Sequence, residues 1–141
     1  MGDVRQIQGV ALVAGSGEGA ALVTETPLSF WGGVDPDSGE VIDRRHPWSG
    51  QSVASRVLAM PHGRGSCSAS GVLLEAAANG VGPAAIIVSR VDPVVGLGAI
   101  LADELLGRVV PVVLVDDADR RSIQDGDAVS VAPDGLVRIE R

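Results

Sequence analysis

The segment that decides the fold is VASRVLAMPHGRGSCSASGVLLEAAANGVGPAAIIV, residues 53–88. It opens with an apolar run from Val53 to Met60, which predicts a strand. The apolar residues between Ala69 and Asn79 then recur at helical spacing, and Ala84 to Val88 forms a second wholly apolar strand. Strands that are apolar throughout and alternate with a helix predict parallel pairing with both sheet faces covered.

The same alternation continues downstream. Val94 to Leu106 predicts a second helix, and Val109 to Val115 predicts another apolar strand. These additions complete a βαβαβ unit, for which right-handed crossovers are expected. The tail then predicts a hairpin with strands at Ala128 to Ala132 and Leu136 to Glu140.

The first third of the chain has β character. Gln8 to Ala14 and Ala20 to Thr24 predict short strands, Glu40 to Ile42 predicts a further one, and Arg44 to Gly50 predicts a loop. We therefore expect an α/β fold in which a mixed β layer from both termini surrounds a central parallel βαβαβ unit. The length of the chain predicts one domain over residues 1–141.

Composition restricts the class of function. The formal net charge of −7 argues against a nucleic acid or an anionic membrane as partner. No apolar run reaches the ~18 residues that a membrane span needs, and the N-terminal residues lack the pattern of a signal peptide. One cysteine excludes an internal disulfide, so the cytoplasm is the expected location. With two histidines and this cysteine, the chain cannot supply the ligands of a structural zinc site or an iron–sulfur cluster, so another chain would hold most of any metal site.

The turn GRGSCSASG at 63–71 is the leading candidate site. Glycines allow close approach of a ligand, and the free N–H groups of a helix start favour an anion. The same field lowers the cost of ionising a hydroxyl, as a serine acting as a base requires. A capped helix start is the alternative interpretation. The turn matches neither a dinucleotide fingerprint, since Ser68 stands where a third glycine belongs, nor a P-loop nor a nucleophile elbow.

Two further stretches are candidates for contacts. The loop from Arg44 to Gly50 contains His46 and Trp48, and it predicts either a ligand contact or a surface loop with a tryptophan lid. Phe30 and Trp31 are adjacent aromatics that cannot easily both face the core, which favours a contact surface with a partner. His62 directly precedes the glycine turn, and its residue type is compatible with either a catalytic or a structural role.

Three motifs occur in one order: PLSFWGGVDP at 27–36, the His46-Pro47 loop, and GRGSCS at 63–68 followed by GVLLE at 71–75. In this combination the chain resembles the swivel-domain, or small-subunit, family of aconitase X. The similarity extends from about Gly9 to Ile139. That family includes the small subunits of phosphomevalonate dehydratase and cis-3-hydroxy-L-proline dehydratase. The resemblance implies a swivelling β/β/α domain.

The resemblance also implies a role for the glycine turn. In aconitase-like hydro-lyases a Gly-Ser-Ser-Arg turn of the swivel domain supplies its first serine as the base. Gly65-Ser66-Cys67 matches this order, which implies that Ser66 is the general base. Ser68 stands where the family has arginine, so Arg64 or backbone N–H groups of the turn would bind the substrate carboxylate, with His46 as a further predicted contact.

The function implied by the resemblance is that of a small subunit in a heteromeric hydro-lyase, a dehydratase active only with a large subunit. That large subunit, and not this chain, would hold an iron–sulfur cluster. The Ser-Cys-Ser turn and the His46-Pro47-Trp48 loop favour cis-3-hydroxy-L-proline as substrate, with phosphomevalonate as the alternative. A non-catalytic, anion-binding module is the alternative from a different class.

Overall fold

The structure, a computed structural model, describes residues 3–63, 67–91 and 93–141, except the side chains of residues 67–69 and 94. Within these ranges no helix combines the length and the apolar character that a bilayer crossing needs. The described elements are, in chain order, β1 (Val4–Gln8), β2 (Val10–Val13), β3 (Gly17–Val23), β4 (Val57–Ala59), α1 (Cys67–Ala78), β5 (Ala85–Val88), α2 (Pro93–Leu106), β6 (Val112–Leu114), α3 (Asp117–Arg121), β7 (Ala128–Val131) and β8 (Leu136–Glu140).

Strands β4, β5 and β6 are parallel neighbours in the sheet. Leu58 pairs with Ile86, and Ile86 pairs with Val112. Strand β3 extends this parallel part, with Ala21 opposite Val57. Helices α1 and α2 provide the two connections and pack against each other. The predicted central βαβαβ unit is therefore confirmed.

The N-terminal strands join the two ends of the sheet. The strand order is β1-β8-β7-β3-β4-β5-β6-β2, so β1 and β2 lie at opposite ends although only Gly9 separates them along the chain. Gly9 donates its N–H to the carbonyl oxygen of Gly135 at 3.0 Å, and a Cβ at Gly9 would collide with the side chain of Val113. The mixed sheet, which includes the parallel strands, is thus nearly closed into a barrel.

Apolar side chains cover both faces of the parallel strands. On β4, Leu58 belongs to one buried cluster, whereas its neighbours Val57 and Ala59 belong to another. The first cluster includes residues from the helices and from the β3–β4 connection: Leu73, Val95, Ala99, Phe30 and Trp48. The second draws mainly on the strands and includes Ile7, Ile87, Val113, Val129 and Val137. Burial on both faces explains why these strands lack polar alternation.

The structure differs from the sequence-based expectation at the edges. The apolar pattern does not predict β1, because Val4, Arg5 and Gln6 are exposed and only Ile7 is buried. Backbone hydrogen bonds pair β1 with β8 in an antiparallel arrangement. The strand predicted at residues 40–42 is wrong, since this stretch forms only isolated bridges.

Candidate functional site

The carboxyl ends of the parallel strands β3 to β6 lie at one edge of the sheet, where open α/β sheets place ligands. Polar residues follow these strands: Glu25 after β3, His62 after β4, Ser89 after β5 and Asp117 after β6. They line a cleft of about 530 Å³, which we call the strand-end cleft. Among the described residues, the lining also includes Pro27, Pro61, Arg90, Arg120 and Arg121.

The glycine-serine turn leaves β4 at this edge. The carbonyl oxygen of Pro61 accepts the backbone N–H groups of Ser89 at 3.0 Å and Arg90 at 3.1 Å. Gly63 forms an isolated parallel bridge with Leu28. The chain entering the turn is therefore fixed on both sides by neighbouring segments.

The turn itself holds most of the predicted site residues. Helix α1 begins at Cys67, inside the segment 63–71 and two residues before the predicted helical period at Ala69, so the helix predicted to open at this segment is confirmed. Arg64, Gly65 and Ser66 lie outside the described residues, as do the side chains of Cys67 and Ser68. The catalytic role of Ser66 and the binding roles of its neighbours remain predictions.

Arg120 connects several residues of the cleft. It is buried, with 3% of its surface exposed. Its Nη2 atom lies 3.0 Å from Glu25 Oε2 and 2.8 Å from Asp117 Oδ1. Its Nε atom donates to Ser89 Oγ and its Nη1 atom to the carbonyl oxygen of Thr24, both at 3.2 Å. One guanidinium thus ties the segments after β3 and β5 to the first residue of α3.

These contacts determine the charge state of the cleft. Hydrogen bonds from Arg120 hold the pKa of Glu25 and of Asp117 below the ordinary carboxyl values, against a smaller opposing effect of burial. Burial lowers the pKa of Arg120, but its hydrogen bonds to the two carboxylates outweigh burial and raise that pKa overall. All three groups are ionised at neutral pH. Arg121 pairs with the same carboxylates at 3.4 and 3.0 Å, so these two cations balance the two anions, and Arg90 adds a third arginine to the lining.

His46 is buried within its own loop. Its Nδ1 atom accepts the backbone N–H of Trp48 at 3.0 Å, and its Nε2 atom lies 3.0 Å from the carbonyl oxygen of Thr26. Because Nδ1 accepts, Nε2 carries the proton and donates to Thr26. Both ring nitrogens are engaged, and this geometry favours a structural role. A contact between His46 and substrate stays a prediction.

The aromatic residues divide between core and surface. Phe30 and Trp48 are each 2% exposed, and Trp48 Nε1 donates to the carbonyl oxygen of Val23 at 3.0 Å. The prediction that Phe30 lies on a contact surface is therefore wrong, as is the interpretation of Trp48 as a lid. Both rings belong to the buried cluster that joins the helices, the parallel strands and the β3–β4 connection. Trp31 is 64% exposed.

Sequence reasoning does not single out Glu25, Asp117 or Arg120. The position of Glu25 and Asp117 in the sequence is a usable signal, because each of them follows an apolar strand. Parallel pairing brings the ends of those two strands to the same edge of the sheet. Arg120 carries no such signal. It belongs to the polar stretch DDADRR at 116–121, whose composition predicts an exposed turn, and only packing makes it buried.

The donor set of the chain does not fit a metal cluster. Among the residues that the structure describes, no three His, Cys, Asp or Glu side chains converge in a way that could hold a metal ion. The full sequence has one cysteine and two histidines, and both ring nitrogens of His46 are already bonded. An iron–sulfur cluster needs three or four thiolates or equivalent ligands.

Comparison with known sequences places these features in a family. A family model described as aconitase X swivel domain matches residues 6–139. A cis-3-hydroxy-L-proline dehydratase of Pseudomonas aeruginosa is 56% identical over 101 residues, which cover 72% of this chain but only 17% of that protein. A phosphomevalonate dehydratase small subunit of Thermococcus onnurineus is 40% identical over 136 residues, covering 96% of this chain and 98% of that one.

A solved structure shows the same fold. The crystal structure of Thermococcus kodakaraensis aconitase X in its holo-form matches with a TM-score of 0.84 at 37% identity. The match covers 96% of this chain and 98% of that chain. The predicted swivelling β/β/α architecture is therefore confirmed.

Proposed function

The chain belongs to the aconitase X swivel-domain family, and on that premise we propose that it is the small subunit of a heteromeric hydro-lyase. In this proposal its single swivel-type domain acts with a large subunit of the aconitase X type. The assembled enzyme removes water from a small hydroxylated carboxylic acid. The observation that carries the proposal is the strand-end cleft, whose lining includes Pro61 and His62, the residues directly before Gly63 in the sequence.

The proposed substrate is cis-3-hydroxy-L-proline. The identity of 56% to the hydroxyproline dehydratase supports this choice, although the chain spans only 17% of that relative's length. Phosphomevalonate is the second candidate, because the phosphomevalonate dehydratase small subunit matches along 98% of its own length. In both acids the α-carbon, next to the carboxylate, bears a proton and the β-carbon bears the hydroxyl group. The same elimination mechanism therefore applies to either acid.

Ser66 is the proposed general base. It directly precedes Cys67, the first residue of α1, where the N–H groups of a helix start and the positive end of the helix dipole would stabilise an alkoxide. The alkoxide takes the proton from the carbon next to the carboxylate, the electrons of that C–H bond form the double bond, and the C–O bond breaks with its electron pair on the departing hydroxide. The hydroxide becomes water by taking one proton, and Ser66 releases one proton when its alkoxide is restored, so the protons balance over one turnover. Arg64 and the backbone amides of Gly65, Cys67 and Ser68 bind the carboxylate in this proposal.

The iron–sulfur cluster of the enzyme is assigned to the large subunit. Since the donor set of this chain does not fit a cluster, no step assigned here to its residues runs through one. The isolated, untagged chain should therefore carry no iron. Stoichiometric iron–sulfur absorbance in that preparation would overturn the assignment.

Co-purification with a candidate large subunit tests the proposal. The complex is isolated without oxygen and assayed with cis-3-hydroxy-L-proline, with phosphomevalonate and with other small hydroxy acids. We expect turnover of hydroxyproline by the complex and none by either subunit alone. Turnover of phosphomevalonate only would change the substrate and keep the reaction class. A complex that turns over no acid, with an isolated chain that binds inorganic phosphate, would favour the non-catalytic anion-binding module.

A further inference from the structure

We propose that Arg120 is a positioning residue of the dehydration, acting through Ser89 and Pro61 on the chain that enters the glycine-serine turn. The inference rests on the proposed function, because that function gives the strand-end cleft a reaction to position. It adds a residue that contacts neither substrate nor the reacting atoms.

Every nitrogen of the Arg120 side chain is engaged. Nε donates to Ser89 Oγ at 3.2 Å, and Nη1 donates to the carbonyl oxygen of Thr24 at 3.2 Å. Nη2 donates to Glu25 Oε2 at 3.0 Å and to Asp117 Oδ1 at 2.8 Å. Because the guanidinium is planar and its N–H groups point in fixed directions, these contacts hold three segments of the chain at set distances.

Ser89 transmits this restraint to the segment after β4. Its hydroxyl accepts from Arg120 Nε and donates to Asp117 Oδ1 at 3.0 Å. Its backbone N–H donates to the carbonyl oxygen of Pro61 at 3.0 Å. Pro61 stands two residues before Gly63, so a shift of Ser89 shifts the chain that enters the turn.

Arg120 is not placed to bind substrate itself. It is 3% exposed, and its terminal nitrogens already contact Glu25 and Asp117. Arg121 pairs with the same carboxylates and is 61% exposed, so it is the more accessible cation at the cleft. Any influence of Arg120 on the reaction therefore operates through the groups that it holds, without direct contact with the substrate.

A comparable ion pair lies outside the cleft and serves as a control. Asp127 is 5% exposed and is bound by Arg141 at 3.0 and 3.2 Å. The groove beside this pair shares none of its described lining residues with the strand-end cleft. Loss of either pair should affect stability, but only loss of the Arg120 contacts should affect the reaction.

The test uses the complete complex and the acid that the wild-type complex turns over. Arg120→Lys keeps the charge but loses the planar fork. We expect kcat to fall roughly 10- to 100-fold, the effect of a displacement of about 1 Å, while KM changes less than about threefold. Asp127→Asn should lower Tm and keep the wild-type kcat.

A second variant separates geometry from folding. Ser89→Ala keeps the ion pairs of Arg120 and removes only the Ser89 hydroxyl, which joins Arg120 Nε to Asp117 Oδ1. This variant should therefore fold even if Arg120→Lys does not. We expect its kcat to fall roughly 3- to 10-fold at an unchanged KM.

Three results overturn the inference. If Arg120→Lys and Ser89→Ala both keep kcat within about twofold of wild type, Arg120 does not position the reaction and the proposed function stands. If Asp127→Asn loses as much kcat as Arg120→Lys, the loss follows stability and the proposed function again stands. If the wild-type complex dehydrates none of the acids, the proposed function fails and the inference fails with it.

Discussion

The parallel and antiparallel halves of the sheet carry their charged residues differently. In the parallel half, β4 and β5 are buried along their whole length, and charged residues flank the strands, as Arg56 does before β4 and Asp117 does after β6. In the antiparallel half, β8 alternates exposed Arg138 and Glu140 with buried Val137 and Ile139. Strands covered on both faces have room for charge only at their ends, whereas strands covered on one face can distribute it along their length.

The ion pairs of the two halves differ accordingly. Arg138 and Glu140 lie 3.0 Å apart on the outer face, and each is 52% exposed. Such a pair contributes about 0–1 kcal/mol. Arg120 is 3% exposed, and a buried guanidinium is tolerated only when its hydrogen bonds are satisfied. The strand-end edge links four charged side chains in one cluster, Glu25, Asp117, Arg120 and Arg121, whereas the buried Asp127 of the antiparallel half forms an ion pair with Arg141.

The strongest test of this contrast is to remove the proposed base. Ser66→Ala should lower turnover by the assembled enzyme roughly 10²–10⁴-fold, the usual contribution of a general base. If Ser66 only capped the helix, alanine would cost ~1 kcal/mol of stability and leave turnover intact. Turnover and Tm measured on one preparation separate these outcomes.

The antiparallel half supplies the control for that substitution. Ser130 lies on β7, and Ser130→Ala should keep the wild-type rate. A Ser66→Ala enzyme that retains more than about a tenth of the wild-type rate would place the base elsewhere.

The closure between the halves can be tested with two glycines. Gly135 has φ +88°, and a Cβ there would lie 2.6 Å from the carbonyl oxygen of Gly9, whereas Gly126 has φ +86° and open space around it. Gly126→Ala should cost ~1–2 kcal/mol for its backbone conformation alone. Gly135→Ala should cost a further ~1–3 kcal/mol because backbone must move. Equal losses in urea unfolding would contradict the close approach of β1 and β2 to this turn.

The exposed tryptophan tests which half contacts the large subunit. Trp31 follows Leu28, which bridges to Gly63 at the cleft edge, and it is 64% exposed. Trp31→Ala should weaken assembly roughly 10- to 30-fold, since buried tryptophans are frequent interface hot spots. The stability of the isolated chain should change by less than about 0.5 kcal/mol.

Titration of subunit binding checks this prediction. Val4 is 52% exposed in the antiparallel half, so Val4→Ala should leave the dissociation constant unchanged. Equal affinity of the Trp31→Ala and Val4→Ala chains would place the contact surface elsewhere.

The smallest expected difference concerns acid stability. Hydrogen bonds from arginine lower the pKa of both Asp117 and Asp127 below the ordinary value of 3.8. A carboxyl with a lowered folded pKa contributes stability that is present above the unfolded pKa and is lost as pH falls through the folded pKa. The free energy of unfolding should therefore begin to fall below about pH 5, as the unfolded carboxyls start to bind protons.

Two substitutions compare these carboxylates. Asp127→Asn should flatten the acid dependence more than Asp117→Asn, because Asp127 is 5% exposed whereas Asp117 is half exposed and its pair is screened by water. Urea unfolding between about pH 6 and pH 2.5 measures both slopes. A larger effect at Asp117 would show that the cleft is less open to solvent than its exposure indicates.

Much of the parallel half was predictable because its signals are local. The apolar runs that end at Met60, Val88 and Val115 each predict a buried strand, and the helical spacing between them predicts the crossovers. The glycine-serine turn was equally visible, since glycine and serine restrict a helix start through their own chemistry. In contrast, β1 (Val4–Gln8) could not be predicted. The three residues that precede Ile7 in this strand are exposed, so the strand shows no alternation of apolar and polar residues.

The aromatic pair shows where local reasoning ends. Phe30 and Trp31 were both expected on one contact surface, because residue type does not distinguish two adjacent aromatics on an irregular segment. The structure buries Phe30 beside Trp48 and exposes Trp31. That choice depends on the space left by distant helices and strands.

The sequence by itself determined the order of strands and helices in the central βαβαβ unit and a donor set too small for a metal cluster, because periodicity and residue counts are properties of the chain alone. Only the tertiary structure decided that β1 and β2 join both ends of the sheet through Gly9, and that Arg120 binds Glu25 across 95 positions of sequence. Such contacts arise when packing brings distant segments together and removes water from a charged group, so that its remaining partners must come from the protein.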